Sequence, residues 1–260
     1  MILARDIVAV IEEFAAPSLA ESYDNTGFLI GDLDSEISKL LLTVDVTPEV
    51  VAEAIEQGAN MILSHHPLIF GGVKKLNGTN DIERSIIELI KNNIALYSCH
   101  TSIDAVVGGI SYRLGEQLSL SNMVTLAPKN ENSDGFGVVG DLSSPVEAIE
   151  FLQLIKNVFN VKYLRYTKPH VENICRVAIC GGSGSSLLSD AKRLNADIYI
   201  SADFKYHDFF ETNGEIMIAD IGHYESEKVV LNIFSDIISK KYPNFAILKS
   251  SRESNPILYL

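Results

Sequence analysis

The chain holds six histidines, and five of them stand where strand-like runs end. NMILS (60–64) runs straight into His65 and His66. IALYS (94–98) leads through Cys99 to His100, with Asp104 four residues on. EIMIAD (215–220) leads to His223, with Glu227 four residues on. ADIYIS (196–201) is followed by Asp203 and then His207. Ligand sites of open α/β sheets lie outside the carboxyl ends of the strands, so these positions are where chemistry is expected. Histidine and carboxylate oxygen are the ligands that first-row divalent metals take. A His-x-x-x-Asp or His-x-x-x-Glu spacing sets both side chains on one face of a helical turn. Adjacent histidines leaving a strand point in different directions, which suits two metals better than one. Two metals about 3.5–4 Å apart deprotonate a water at neutral pH, the usual arrangement for hydrolysis. The expectation is therefore two divalent transition-metal ions, with Zn, Mn, Fe, Co and Ni all compatible with the donor types.

Each element has a plainer reading when taken alone. A single His-x-x-x-Glu is more often a solvated helix face, and only three such elements, each after a buried-strand signal, make a set. His170 sits in the polar turn TKPHVEN (167–173) and reads as surface. Asp203 and His207 read equally well as contacts that support ligands or substrate and as loop polarity. GGSGSS (181–186) opens a helix and can present backbone N–H groups to an anion, yet it matches neither phosphate-binding glycine fingerprint. A tight strand-to-helix connection is its simpler reading. Cys99, Cys175 and Cys180 are odd in number, form no Cys-x-x-Cys, and all lie in apolar runs. They read as buried reduced thiols, and Cys99 beside His100 as packing.

The elements that must position these donors alternate along the chain. A helix is expected over about 3–15, strands at 28–31 and 39–46, and a helix from Thr47-Pro48 to Gly58, with Thr as N-cap and Pro at the first helical position. Helices over about 81–91 and 109–118 flank the strand that ends before His100. Strands MVTLA (123–127) and FGVVGDL (136–142) come next, separated by the polar PKNENSDG. Ser144-Pro145-Val146-Glu147 reads as a capping box opening a helix to about Asn160. The short strand YLRYT (163–167), the strand CRVAICGG (175–182), helices over about 185–195 and 224–241, and a last strand FAILK (245–249) complete the series. Strands rich in Ile, Val and Leu alternating with helices indicate an α/β fold with buried sheets.

The pattern repeats. Shifted by 137 positions, GANMILSHH (58–66) falls on NADIYISAD (195–203); shifted by 123, His100 falls on His223 and Asp104 on Glu227. Two similar α/β lobes are expected, residues 1–120 and 121–260, with a connecting segment at about 119–172. The lobes would face each other around the metals, each supplying ligands.

Composition bounds the class. The 260 residues carry 21 basic and 34 acidic side chains, a net charge of −13. That surplus repels phosphate backbones and disfavours nucleic-acid partners. Hydrophobic residues at 47% exclude a mostly disordered chain. No apolar run approaches the roughly 18 residues of a membrane span, and the amphipathic N-terminus does not resemble a signal peptide, so cytoplasm is the default.

Several segments together resemble the GTP cyclohydrolase 1 type 2 family, also called the NIF-three-like family. They are SYDNTGFLIG (22–31), SHHP (64–67), HTSIDA (100–105), GGSG (181–184), SADFKYHD (201–208) and GHYESEK (222–228), in the family's order. The resemblance implies two α/β lobes, a dinuclear metal site between them and a ring-shaped homohexamer. It implies His65, His66, Asp104, His223 and Glu227 as ligands, with Glu227 bridging and His100 close by. Tyr23 stands where many members carry Trp, and the short middle matches the compact form without an inserted domain. The implied activity is hydrolysis of a nucleotide or related small molecule by a metal-bound water, and the family name implies GTP ring opening with loss of formate. His100 or His207 would shuttle protons, and Asn25, Asp203, Gly182 and Ser183 would line the pocket. The other reading is a metal-binding regulatory protein without turnover.

Overall fold

The computed structural model describes residues 1–252, 255–258 and 260. The chain packs into two compact units, Met1–Ile103 with Val230–Ser254, and Asp104–Val229 with Asn255–Leu260.

The first unit contains α1 (Ala4–Phe14), β1 (Gly27–Ile30), β2 (Lys39–Thr43), α2 (Pro48–Gln57), β3 (Met61–Ser64), α3 (Asp81–Lys91) and β4 (Ala95–Ser98). Its sheet has the order β1-β4-β3-β2-β11, where β11 is Ala246–Lys249 near the end of the chain. β4, β3, β2 and β11 run parallel, and β1 closes one edge antiparallel to β4. Every residue of β3 and β4 is buried, so these strands show no polar alternation. This is the pattern of strands covered on both faces. Leu41, Ile62 and Leu96 on the strands meet Val50, Val51 and Ala54 of α2 and Ile86 and Leu89 of α3 in one core. α2 begins as its sequence indicates, with the Thr47 side chain accepting from Val50 N and Pro48 at the first position. It ends at Gly58 with φ +67°.

The second unit contains α5 (Ile110–Gln117), β5 (Ser121–Pro128), β6 (Gly135–Glu147), α6 (Ala148–Phe159), β7 (Arg165–Tyr166), β8 (Asn173–Ser183), α7 (Leu188–Arg193), β9 (Ile198–Ala202), β10 (Met217–Asp220) and α8 (His223–Glu227). The short helix α4 (Thr101–Ala105) holds the passage between the two units. The second sheet has the order β5-β6-β8-β9-β10-β7. β8, β9 and β10 are parallel, with β6 and β7 antiparallel on either side.

The ribbons β2-β3-β4 and β8-β9-β10 share one strand order, and each carries an antiparallel strand on its last member. The register matches the shift of 137 at the first two strands, where Leu41 faces Ile62 and Ala178 faces Tyr199. At the third strand it slips by one. Ser98 faces Ser64, and Asp220 faces Ser201, so the second unit spends one more residue before its histidine. That residue is Gly222, at φ +90°.

The structure departs from the sequence expectations at four points. The segmentation is not 1–120 and 121–260, because α9 (Val230–Lys241) and β11 return to the first unit, α9 against α1 and β11 beside β2. Sequence continuity cannot show such a crossover. The helix expected over 224–241 is split into α8 and α9, with the break where the chain passes from one unit to the other. Ser144 does not cap α6. Residues up to Glu147 stay in β6, where Val146 pairs with Ile174, and the Glu147 side chain itself accepts from Glu150 N at 2.8 Å. The sheet ladder outcompetes the local cap. Lastly, Cys99 and Cys180 are buried but Cys175, near the start of β8, is exposed.

Candidate metal centre

In the first unit the parallel register brings three strand ends level. Thr43 pairs with Ser64, and Ser64 with Ser98, so β2, β3 and β4 release the chain side by side. The two buried serines share a hydrogen bond of 2.7 Å, and Ser64 Oγ also donates to the His66 carbonyl at 2.8 Å. Just beyond each end stands a polar group: Asp45 after β2, His65 and His66 after β3, His100 after β4. Ligand nitrogens of the three histidines all lie within 4.8 Å of one another. The ring centroids are 4.7 Å apart for His65 and His66, and 5.2 and 5.3 Å from each to His100.

Each ring is oriented by an oxygen acceptor on Nδ1. His65 Nδ1 meets the Cys99 carbonyl at 3.0 Å, His66 Nδ1 meets Asp45 Oδ1 at 2.9 Å, and His100 Nδ1 meets Asp24 Oδ1 at 2.9 Å. A carbonyl or carboxylate accepts only, so Nδ1 carries a proton, and in the neutral ring Nε2 holds the lone pair. This is the arrangement that fixes metal-ligating histidines. Asp24 also accepts from the Thr101 N–H at 3.0 Å and hydroxyl at 2.6 Å. Burial raises its pKa, but the bonds from Thr101 and His100 outweigh it and keep the carboxyl ionised below its ordinary range. Burial, and next the charge of His65, lower His100. A neutral imidazole at pH 7 is the form that binds metal or takes a proton. Asp45 is 46% exposed, so Asp45→Ala should leave the fold intact while releasing the His66 ring. Metal affinity is expected to fall about 10–100-fold, read by competition with a chelating dye. An unchanged affinity would remove Asp45 from the centre.

The second unit builds a carboxylate-rich set on the corresponding strand ends. His223 Nδ1 bonds Asp203 Oδ2 at 2.7 Å, and Nε2 stands 2.9 Å from Glu227 Oε2 one helical turn on. Glu227 is only 3% exposed. A Cβ on Gly182, whose φ is +63°, would lie 2.2 Å from Glu227 Oε1, so the missing side chain is what admits the carboxylate. The Gly182 N–H donates to Ser226 Oγ at 2.9 Å, Ser226 Oγ to the His223 carbonyl at 2.7 Å, and Ser201 Oγ to the Gly182 carbonyl at 3.0 Å. Asp104 is half-buried in α4. Burial pushes the Cys180 thiol up to about 12, and the charges of Asp104 and Glu227 add to it.

The hydrogen bond to Glu227 is the largest of the effects that raise His223, to about 9. A raised value means the protonated pair stabilises the metal-free fold fully below the ordinary pKa of about 6.5, and loses that stabilisation as pH rises through about 9. Chelator-treated protein should therefore unfold at lower denaturant at pH 10 than at pH 6, and His223→Asn should flatten the difference. A steeper loss in the variant would contradict this.

Each of the other expected residues has its own setting. Asn25 is exposed, and its amide donates to the Ile69 carbonyl. Ser183 is exposed at the end of β8. His207 is exposed and packs against Tyr206 and Phe210, with centroids at 5.3 and 6.3 Å. His170 is exposed. The ring-orienting Asp24 and Asp45 were not singled out in the sequence, although Asp24 lies inside SYDNTGFLIG and Asp45 just past a strand end. A carboxylate at such an end was the available signal.

Fold and site define a class: an α/β chain of two sheets whose strand ends gather histidine and carboxylate donors suited to divalent metal. Residues 2–256 match the family model Duf34/NIF3 (NGG1p interacting factor 3), and the chain belongs to that family. The GTP cyclohydrolase 1 type 2 homolog of Clostridium perfringens is 38% identical over 256 residues, 96% of this chain and 97% of the relative. Protein NIF3 homolog of Schizosaccharomyces pombe is 28% identical over 273 residues, 98% of this chain and 97% of the relative. The crystal structure of Staphylococcus aureus hypothetical protein SA1388 superposes with a TM-score of 0.92 at 27% identity, covering 100% of this chain and 99% of that one. No helix among the described residues is long and apolar enough to cross a membrane.

Proposed function

We propose that the chain is a dinuclear metal-dependent hydrolase of a nucleotide or related small molecule. The observation that carries this reading is the uniform orientation of four histidines. His65, His66, His100 and His223 each have Nδ1 on an oxygen acceptor, which leaves Nε2 as the nitrogen a metal would take; at His223 the metal would replace the proton that Nε2 shares with Glu227. His65, His66, Asp104, His223 and Glu227 would hold two divalent ions, with Glu227 bridging. That both donor sets serve one centre is part of the proposal. It rests on the family resemblance and on complementarity, since imidazoles dominate one set and carboxylates the other. The ions, when bound, supply the Lewis acidity that lets water attack at neutral pH. His100, neutral and held at Nδ1 by Asp24, would accept and return a proton at Nε2. Asp203 would keep the His223 ring in place, and Gly182 would give Glu227 its room. The name of the Clostridium perfringens relative, GTP cyclohydrolase 1 type 2 homolog, makes GTP the first substrate to test, with the formate release that the resemblance implies as the readout. The toroidal hexamer implied by the resemblance belongs to the same proposal, as does the cytoplasmic location expected from the sequence.

The test is metal analysis of the purified chain, then assay of formate and phosphate release from GTP and a nucleotide panel. A His65→Ala, Glu227→Ala double variant is the control. Bound metal with turnover lost in the variant is expected. Metal without variant-sensitive turnover would favour a regulatory metal protein, and absence of any bindable divalent metal would overturn both readings.

A further inference from the structure

The second unit also carries an aromatic hollow that none of the donor residues lines. Its volume is about 610 Å³, within the roughly 300–1,000 Å³ of small-molecule sites. Tyr166, Tyr206, Phe209 and Phe210 form its walls, and Lys168 and His170 also line it. Tyr166 is 50% exposed, Tyr206 72% and Phe210 64%. Large aromatics gathered at a surface opening mark a binding site more often than scattered single ones do. The walls are braced: Tyr206 and Phe210 lie edge to face at 5.3 Å, and Phe209 is held between Phe204 at 5.8 Å and the Arg165 guanidinium at 5.3 Å. Lys168 and His170 are exposed and form no ion pair among the described residues.

Rings of this kind stack on planar heteroaromatic groups, and a lysine ammonium is a point charge for phosphate. Lys168 and His170 stand beside the rings and no carboxylate among the described residues lines the hollow, a pairing that suits a ligand both aromatic and anionic. The net charge of −13 argues against a nucleic-acid strand, whose phosphates would extend over the acidic surface. We propose that this hollow binds a nucleoside monophosphate, its base against the aromatic walls and its phosphate at Lys168 and His170, independently of metal.

Calorimetric titration of the full chain with AMP, adenosine and inorganic phosphate tests this. Saturable AMP binding is expected, with adenosine about tenfold weaker and phosphate weaker still. Tyr206→Ala with Phe210→Ala should weaken AMP about tenfold or more, and Tyr206→Phe should keep it. Lys168→Ala should erase the preference for AMP over adenosine. All these side chains are exposed, so the fold tolerates the changes. Chelator-treated protein should bind AMP as the untreated protein does. No saturation below about 1 mM, binding indifferent to the double variant, or binding lost on chelation would each overturn the proposal. So would a double variant that changes the oligomeric mass while AMP binding stays absent in both proteins.

Discussion

His65→Ala is expected to strip bound metal from the purified chain and to weaken the metal-free fold. His65 is fully buried, and its ring fills the space against His66 and His100. Removing a group that only orients a ligand costs about 10–100-fold in affinity, so removing the ligand itself should exceed 100-fold. The truncation leaves a cavity, at about 2–5 kcal/mol for a large buried side chain, and deprives the Cys99 carbonyl of its donor at 3.0 Å. Two measurements separate the effects. Metal content after dialysis reads the first, and urea denaturation of chelator-treated protein reads the second. His170→Ala, on an exposed turn, should change neither. A His65→Ala protein that kept the wild-type metal content would remove His65 from the ligand set.

Gly182→Ala is the second large effect, although it replaces no proposed ligand. The new Cβ would stand 2.2 Å from Glu227 Oε1 and 3.6 Å from the His223 ring, in a residue with φ +63°. Left-handed backbone costs a side chain about 1–2 kcal/mol, and overpacking a tight site about 1–3 kcal/mol. Gly58 supplies the control. Its φ is +67°, yet nothing lies within 4 Å of the Cβ that alanine would add. Gly58→Ala should show the backbone cost alone. Gly182→Ala should lose more stability by urea denaturation and also lose metal, because Glu227 must move. Equal losses in the two variants would mean that the glycine serves the turn and not the carboxylate.

The features behind these two effects differ in how legible they are along the chain. Strand and helix types were readable because buried parallel strands are short runs of Ile, Leu and Val, as in Met61–Ser64 and Ala95–Ser98. The donors were readable because histidines are few and stand just past those runs. The ring-orienting carboxylates were not. Asp24 reaches His100 only because β1 pairs antiparallel with β4, setting Gly27 opposite Ser98, and that pairing leaves no local trace. His207 fits the same spacing rule as His223, but its contacts are Tyr206 and Phe210.

The inventory is therefore written in the residues alone: an α/β chain with a repeated strand–helix–strand pattern, and histidines and carboxylates at strand ends. Those depend on side-chain type and on periods of two to four residues, which are local. The unit that each segment joins, and the way each ring is turned, are settled only when the chain is folded. α9 and β11 belong with strands some 200 positions earlier, at Leu40 paired with Ile247. The orientation of each histidine ring is set by an acceptor as near as Asp203 is to His223 or as distant as Asp24 is from His100. Such choices are made by long-range pairing and burial, where the free energy of closing the chain is recovered from contacts that no short window contains.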